Sequence, residues 1–85
     1  MERDGRGLPP NRKQQEALLS LLRQLRTDAG LRQVDMAKAL GRPQAFVTYY
    51  ESGVRRLDLL ELPQICVVLG ISLIDLVRQF EGSLR

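Results

Sequence analysis

Apolar residues recur every three to four positions along most of the chain, which is the spacing of one face of an α-helix. The clearest stretch runs from residue 33 to 52 and reads QVDMAKALGRPQAFVTYYES. It holds two groups with helical spacing, first Met36, Ala37 and Leu40, then Phe46, Val47 and Tyr50. Gly41 and Pro43 lie between the groups, and glycine permits the left-handed geometry that ends a helix while proline starts the next one well. The pattern therefore predicts two helices, Gln33 to Leu40 and Gln44 to Ser52.

Two short helices joined by a tight turn form a helix-turn-helix. Ala37 is small at the point where the two helices must approach closely, and Val47 provides the buried contact from the second helix. The order and spacing of these residues together make a specific signal, although each residue alone is weak evidence.

The same spacing predicts a longer helix before this pair. Asn11 is its predicted N-cap, Gly30 ends it, and its apolar stripe consists of Ala17, Leu18, Leu21, Leu22, Leu25 and Ala29. Leu19 lies off that stripe, which suggests exposure or contact with a partner, and Arg26 is expected to face away from the core. The helix is interpreted as a scaffold for the core.

Two further helices follow residue 57. Asp58 and Glu61 form a capping-box pair for the fourth helix, and Pro63 is expected either to kink its first turns or to delay its start. Ser72 and Asp75 repeat the capping pattern for the fifth helix. The fifth helix is apolar almost all round, through Leu73, Ile74, Leu76, Val77 and Phe80. The chain is therefore predicted to be all-α, with five helices and no strand.

Composition limits the possible functions. Eighty-five residues suffice for one small domain, which we assign to residues 11–81, with a flexible arm at 1–10 and a tail at 82–85. The sequence has no histidine and one cysteine, so we expect no enzyme activity, no metal site, no cofactor and no disulfide. We also expect no small-molecule ligand. No apolar run is long enough for a membrane span, and a cytoplasmic location is expected.

Charge is unevenly distributed along the chain. Residues 30–56, which include the predicted helix-turn-helix, carry a net charge of +3, whereas residues 57–85 carry −2. Solubility alone explains such a distribution as well as a binding surface does. Its coincidence with the helix-turn-helix favours a surface that faces phosphate groups.

The motifs resemble the lambda-repressor-like, Cro/cI-type family of helix-turn-helix proteins. The matching pattern is LxxLR at 22–26, GLxQxxxAxxLG at 30–41, QxxVxxYExG at 44–53, two arginines before an acidic residue at 55–58, and LGIS at 69–72. The sequence departs from the family pattern at Arg32, which replaces a hydroxyl residue at a helix N-cap, and at Pro43, Tyr49 and Pro63. The resemblance implies a five-helix DNA-binding domain.

The resemblance also implies which residues contact DNA. Members of the family place the third helix in the major groove, where the side chain of Gln44 can pair with adenine. Ala45, Thr48 and Tyr49 complete the expected base-reading set. The residues expected to contact phosphate are Gln33, Arg42, Arg55 and Arg56, and Gln33 is also expected to brace Gln44. Arg3 and Arg6 are possible contacts of the N-terminal arm, for which an idle tail is the alternative.

The sequence therefore predicts a sequence-specific DNA-binding regulator, a dimeric repressor of phage or mobile-element type that reads an inverted repeat in double-stranded DNA. The fifth helix, at about residues 72–81, is expected to carry the homodimer interface through Leu73, Ile74, Leu76, Val77 and Phe80. The alternative is a small helical interaction module, such as an antitoxin, whose main partner is a protein.

Overall fold

The computed structural model describes residues 12–85, and all regular structure in that part of the chain is helical. The helices are α1 Arg12–Asp28, α2 Gln33–Leu40, α3 Gln44–Ser52, α4 Leu62–Leu69 and α5 Leu73–Ser83, with a short 3₁₀ turn Leu59–Glu61 before α4. The all-α architecture of five helices is therefore confirmed. The predicted arm with Arg3 and Arg6, and the predicted cap Asn11, lie outside the described residues.

The turn between α2 and α3 follows from its glycine and its proline. Gly41 has φ +68°, and its N–H and that of Arg42 donate to carbonyl groups of the last turn of α2. Pro43 then provides an extended N-cap for α3, with φ −60° and ψ 151°. Both helices begin and end at the residues predicted from the apolar spacing.

The start of α2 is capped in a way that compensates for Arg32. The arginine side chain has no oxygen that could accept from the free backbone N–H groups. Asp35 acts in the opposite direction, because its Oδ2 accepts from the Arg32 backbone N–H at 2.9 Å and from Arg32 Nε at 3.0 Å. These hydrogen bonds with Arg32 lower the pKa of the Asp35 carboxyl to about 2. The departure at Arg32 therefore changes the cap without disturbing the helix.

Pro63 delays the start of α4 and does not kink it. Asp58 caps the 3₁₀ turn, since its carboxylate accepts from the N–H groups of Leu60 and Glu61, and Glu61 accepts in return from the Asp58 N–H at 3.0 Å. Pro63 then falls in the first turn of α4, where a missing N–H costs nothing. The predicted capping box is confirmed, and it precedes the α-helix by one short turn.

The core lies where all five helices meet. Its buried members are Leu22, Met36, Ala37, Phe46, Val47, Tyr50, Ile65, Cys66, Leu69 and Leu76. Helix α2 packs against α3 and α4, α1 packs against α3 and α5, and α4 packs against α5. Burial raises the pKa of the Cys66 thiol, in keeping with its interpretation as a small apolar core residue.

Two expectations for α1 are wrong. Leu19 is buried at 8% exposure, and Arg26 is buried at 8% as well. A single apolar stripe suits a helix with one neighbour, but α1 packs against both α3 and α5, so a wider face is covered. Leu19 lies against the end of α3, where its Cδ1 is 3.6 Å from the position that a Cβ would take at Gly53.

No single helix among residues 12–85 is long and apolar enough to cross a membrane. The segments Leu59–Leu69 and Leu73–Ser83 reach that length and hydropathy only in combination, and they meet at an angle of 102°.

Candidate nucleic-acid interface

The exposed side of α3 carries the four residues predicted to read bases. The buried side of this helix consists of Phe46, Val47, Tyr50 and Glu51. Because these positions follow the helical period, the residues between them share the opposite side. We call that side the reading face, and it consists of Gln44, Ala45, Thr48 and Tyr49. Gln44 and Ala45 are exposed, Thr48 is half-buried, and Tyr49 is 49% exposed.

A buried ion pair holds α3 against α1. Arg26 Nε donates to Glu51 Oε2 at 2.7 Å, and its NH2 group donates to Glu51 Oε1 at 3.1 Å. A third donor, NH1, reaches the carbonyl of Leu31 in the connection to α2 at 2.7 Å. The hydrogen bond to Glu51 raises the pKa of the Arg26 guanidinium, so the guanidinium stays charged. One arginine therefore connects α1, α3 and the entry to α2.

Sequence reasoning missed this pair, although a signal for it was present. Arg26 ends the LxxLR motif and Glu51 belongs to the YExG motif, so both lie at matching positions of the family pattern. The expectation that Arg26 faces solvent came from its position off the apolar stripe of the helix. A bidentate guanidinium–carboxylate pair satisfies both groups and permits their burial.

Two further hydrogen bonds connect the ion pair, through Gln33, to the reading face. Gln33 Nε2 donates to Glu51 Oε1 at 3.0 Å, and Thr48 Oγ1 donates to Gln33 Oε1 at 2.9 Å. We call the four connected side chains Arg26, Glu51, Gln33 and Thr48 the buried network. Gln33 was expected to brace Gln44. In this structure it contacts Thr48 instead, one turn later on the same face, and the bracing of Gln44 stays a prediction.

Gln44 itself stands free at the start of α3. Within residues 12–85 its side chain has no hydrogen-bond partner. Its N-cap is Pro43, which offers no side-chain acceptor to the first turn. The side-chain amide of Gln44 is therefore available to an external ligand.

The predicted phosphate-binding arginines differ in how strongly they are already engaged. Arg55 pairs with Glu61 through two hydrogen bonds of 2.7 and 3.0 Å. This contact lowers the pKa of the Glu61 carboxyl to about 2, so the pair is fully charged at neutral pH. Arg42 and Arg56 are exposed and have no ion pair in the described part of the chain. Of the three, Arg42 and Arg56 are therefore the more available cations.

Phe46 holds two of these arginines near the start of α3. The guanidinium carbon of Arg42 lies 4.5 Å from the centre of the Phe46 ring, and that of Arg55 lies 4.8 Å from it. Both distances are within the range of a cation–π contact. The turn before α3 and the loop after it thus bring two guanidinium groups to the same aromatic ring.

The predicted dimer residues on α5 do not share one exposed surface. Leu76 is 1% exposed and belongs to the core of the monomer, so it does not lie on an exposed face. Leu73 packs against the core, and Phe80 is half-buried beside α1. Ile74 and Val77 are 65% and 42% exposed. The helix looks apolar all round in sequence because one side fills the core while the other is uncovered.

No group of three or more histidine, cysteine, aspartate and glutamate side chains within residues 12–85 is arranged to hold a metal ion.

Comparisons with known proteins agree with this geometry. A family model described as a helix-turn-helix domain matches residues 17–80. Among solved structures, an XRE-family like protein from Pseudomonas syringae pv. tomato str. DC3000 is 34% identical, with a TM-score of 0.81, and the match covers 93% of this chain and 96% of that one. The clp gene regulator ClgR from Corynebacterium glutamicum is 28% identical, with a TM-score of 0.75 and coverage of 89% and 97%. No curated protein matches the chain in sequence.

Proposed function

The chain belongs to the helix-turn-helix domain family, and from this premise we propose that it is a DNA-binding transcriptional regulator. In its fuller form, the proposal is a dimeric repressor of phage or mobile-element type that reads an inverted-repeat operator through α3. The carrying observation is the reading face itself, which is exposed and polar at its start and braced from behind by a buried ion pair. The similarity to a solved gene regulator supports the regulatory role.

Base reading is proposed for the start of α3. A helix of this kind enters the major groove with its N-terminal residues against base edges. The free amide of Gln44 matches the N6 donor and N7 acceptor of adenine, and Ala45 suits the methyl group of thymine. Tyr49, exposed one turn further on, is placed for contact with sugar or phosphate.

Phosphate contacts are proposed for the basic residues around that helix. Arg42 precedes α3 and Arg56 follows it, and both are exposed. Such contacts position a protein on the duplex without reading its sequence. Gln33 and Arg55 remain weaker candidates, because each has hydrogen-bond partners within the chain.

The uncovered side of α5 supports the dimeric form of the proposal. Ile74 and Val77 expose apolar surface on the element that closes the domain. Pairing of two copies about a two-fold axis would cover this surface and present two α3 helices to the same side of a duplex. A protein that acts on DNA in this way requires no cofactor, and the proposal includes a cytoplasmic, nucleoid-associated location.

A second function deserves the same test. Leu60 is 85% exposed and Val67 is 79% exposed, in addition to the exposed residues of α5. Exposed apolar side chains on several elements also suit a helical interaction module, such as an antitoxin, that binds another protein. This function predicts weak DNA binding without sequence preference.

Selection of bound sites from a random DNA pool tests the two functions directly. A regulator should enrich a short half-site repeated in inverted orientation, and its logarithm of affinity should fall linearly with the logarithm of salt concentration. Affinity for a scrambled version of the selected site provides the control. Enrichment of no common sequence would reject the regulator and favour the protein-binding module.

A further inference from the structure

The hydrogen bonds of the buried network converge on Glu51, which accepts from Arg26 on α1 at one end and from Gln33 at the other. Gln33 in turn accepts from Thr48 on the reading face. The two ends of the network differ in chemistry. A guanidinium can only donate, whereas a threonine hydroxyl can both donate and accept. The directions of the intermediate hydrogen bonds decide which of the two roles remains open to Thr48 on the side that faces solvent.

The first fixed direction is set at Glu51. Its two oxygens receive Nε and NH2 of Arg26, at 2.7 and 3.1 Å, and the side chain of Glu51 is only 4% exposed. A carboxylate paired with a guanidinium is ionised and has no proton to donate. Any further hydrogen-bond partner of the Glu51 carboxylate must therefore be a donor.

The second direction follows at Gln33. Its side chain has one donor end and one acceptor end, and Glu51 Oε1 lies 3.0 Å from its nitrogen. With the amide turned the other way, the carbonyl oxygen of Gln33 would face a carboxylate oxygen at that distance. Gln33 therefore directs its nitrogen at Glu51 and its oxygen at Thr48.

The third direction follows at Thr48. Gln33 Oε1 can only accept, so Thr48 must donate its single hydroxyl proton there, over 2.9 Å. If Thr48 donated outward instead, the Gln33 oxygen would lose its partner in a part-buried site. The outer side of the Thr48 hydroxyl is left with lone pairs alone, beside the threonine methyl group.

We propose that the buried network makes Thr48 a specificity-determining residue that reads DNA only as a hydrogen-bond acceptor. In the major groove, acceptors pair with the exocyclic amino groups, which are N6 of adenine and N4 of cytosine. Guanine O6 and N7 and thymine O4 are themselves acceptors and are rejected at this contact. The inference rests on the proposed DNA-binding function, and it adds the chemical class of base that one position of the operator must carry.

The test compares the wild-type chain with two variants at the selected operator. Thr48→Val keeps the shape of the side chain and removes the hydroxyl, whereas Thr48→Ser keeps the hydroxyl and removes the methyl group. Each adenine of the half-site is replaced in turn by purine, and each cytosine by pyrimidin-2-one, which deletes one amino group at a time. Helicity measured by circular dichroism confirms that both variants fold.

We expect one amino-group deletion to weaken binding of the wild-type chain and of Thr48→Ser by roughly three- to tenfold, the size of one hydrogen bond. The same deletion should leave binding of Thr48→Val unchanged. Selection from a random pool with Thr48→Val should also lose the preference for adenine or cytosine at that position alone.

The possible failures are distinguishable. If the wild-type chain selects an operator but every deletion affects Thr48→Val as strongly as the wild type, the acceptor role is wrong and the proposed function stands. A wild-type preference for guanine at the position altered by Thr48→Val would also overturn the acceptor role. If the wild-type chain selects no operator at all, the proposed function fails and this inference fails with it.

Discussion

We propose Gln44 as the residue whose chemistry most directly links this fold to a DNA sequence. Its side chain is exposed, begins the reading helix and has no partner among the described residues. An amide carries a donor and an acceptor, so it can match both the N6 and N7 atoms of one adenine. A glutamine without a partner also keeps several side-chain conformations, and it must lose this freedom when a ligand binds.

Replacing Gln44 by alanine should weaken operator binding by about 1–3 kcal/mol and relax the preference at one base pair, because one bidentate contact is lost. Affinities for the selected operator and for random DNA, measured by titration, give the specific and non-specific parts. Gln64→Ala, the same change at an exposed position on α4, is the matched control. Equal loss on both kinds of DNA would exclude a base-reading role for Gln44.

We expect Arg26 and Glu51 to affect DNA binding only through the position of α3. Their side chains are 10% and 4% exposed, so neither reaches a ligand. Removing one partner leaves the other as a buried, unpaired charge, which is more costly than the loss of the pair as a whole. We therefore expect these two residues to act mainly on the free energy of unfolding.

Arg26→Met should lower the free energy of unfolding by about 3–5 kcal/mol. The double variant Arg26→Met with Glu51→Leu should recover most of this loss, since neither charge remains. Urea denaturation followed by circular dichroism measures both values. Arg23→Met, at an exposed position on the same helix, should change stability by less than about 0.5 kcal/mol. A double variant no more stable than Arg26→Met would refute the explanation by an unpaired charge.

At the scale of the element, the loop after α3 contains a positively charged side chain that is already paired with a carboxylate. Arg55 is paired with Glu61 of the capping box and lies over Phe46. The acidic partner offsets its charge, so we expect Arg55 to be a weaker phosphate ligand than Arg42 and Arg56, which have no ion pair within residues 12–85. The loop can gain phosphate affinity by loss of the glutamate, without any change in the basic residues.

Glu61→Gln should therefore strengthen binding to random DNA and steepen the dependence of log affinity on log salt by about 0.9, the contribution of one further phosphate contact. Glutamine still has an oxygen to accept from the Asp58 N–H, so the cap is retained. Glu81→Gln makes the same charge change at an exposed position on α5. Identical slopes for the two variants would show that only net charge matters and that Arg55 was not released.

At the scale of the whole molecule, we propose that two copies assemble through the uncovered side of α5. One side of the helix is used by Leu76 in the core, whereas Ile74 and Val77 remain exposed. Closed two-fold dimers are the commonest soluble oligomers. A dimer through this side would present two reading helices to successive major grooves, about 34–36 Å apart.

Ile74→Glu or Val77→Glu should yield a folded monomer that has lost tight operator binding, because a charge cannot be buried unpaired at the interface. Sedimentation measures mass in solution, circular dichroism reports folding, and titration reports operator affinity. Val67→Glu, which places the same charge on exposed apolar surface of α4, should remain dimeric. If both α5 variants stay dimeric and bind normally, the interface lies elsewhere.

Much of this molecule was determined by local sequence. The bounds of α2 and α3, the left-handed Gly41 between them and the caps at Asp58 and Ser72 each depend on a few adjacent residues. Apolar spacing likewise identified the core faces of α2 and α3. These features could be predicted because helix period, capping and turn geometry act over distances of about four residues along the chain.

Only the tertiary structure decided which side chains meet across the helices. Arg26 and Glu51 are 25 positions apart, and Thr48 and Gln33 are 15 apart, so no local pattern joins them. The burial of Leu19 and the division of α5 into a core side and an exposed side depend equally on which helices pack against each one. Helical period describes the faces of an element, but the number and placement of its neighbours set how much of its circumference is covered, and those are properties of the folded chain.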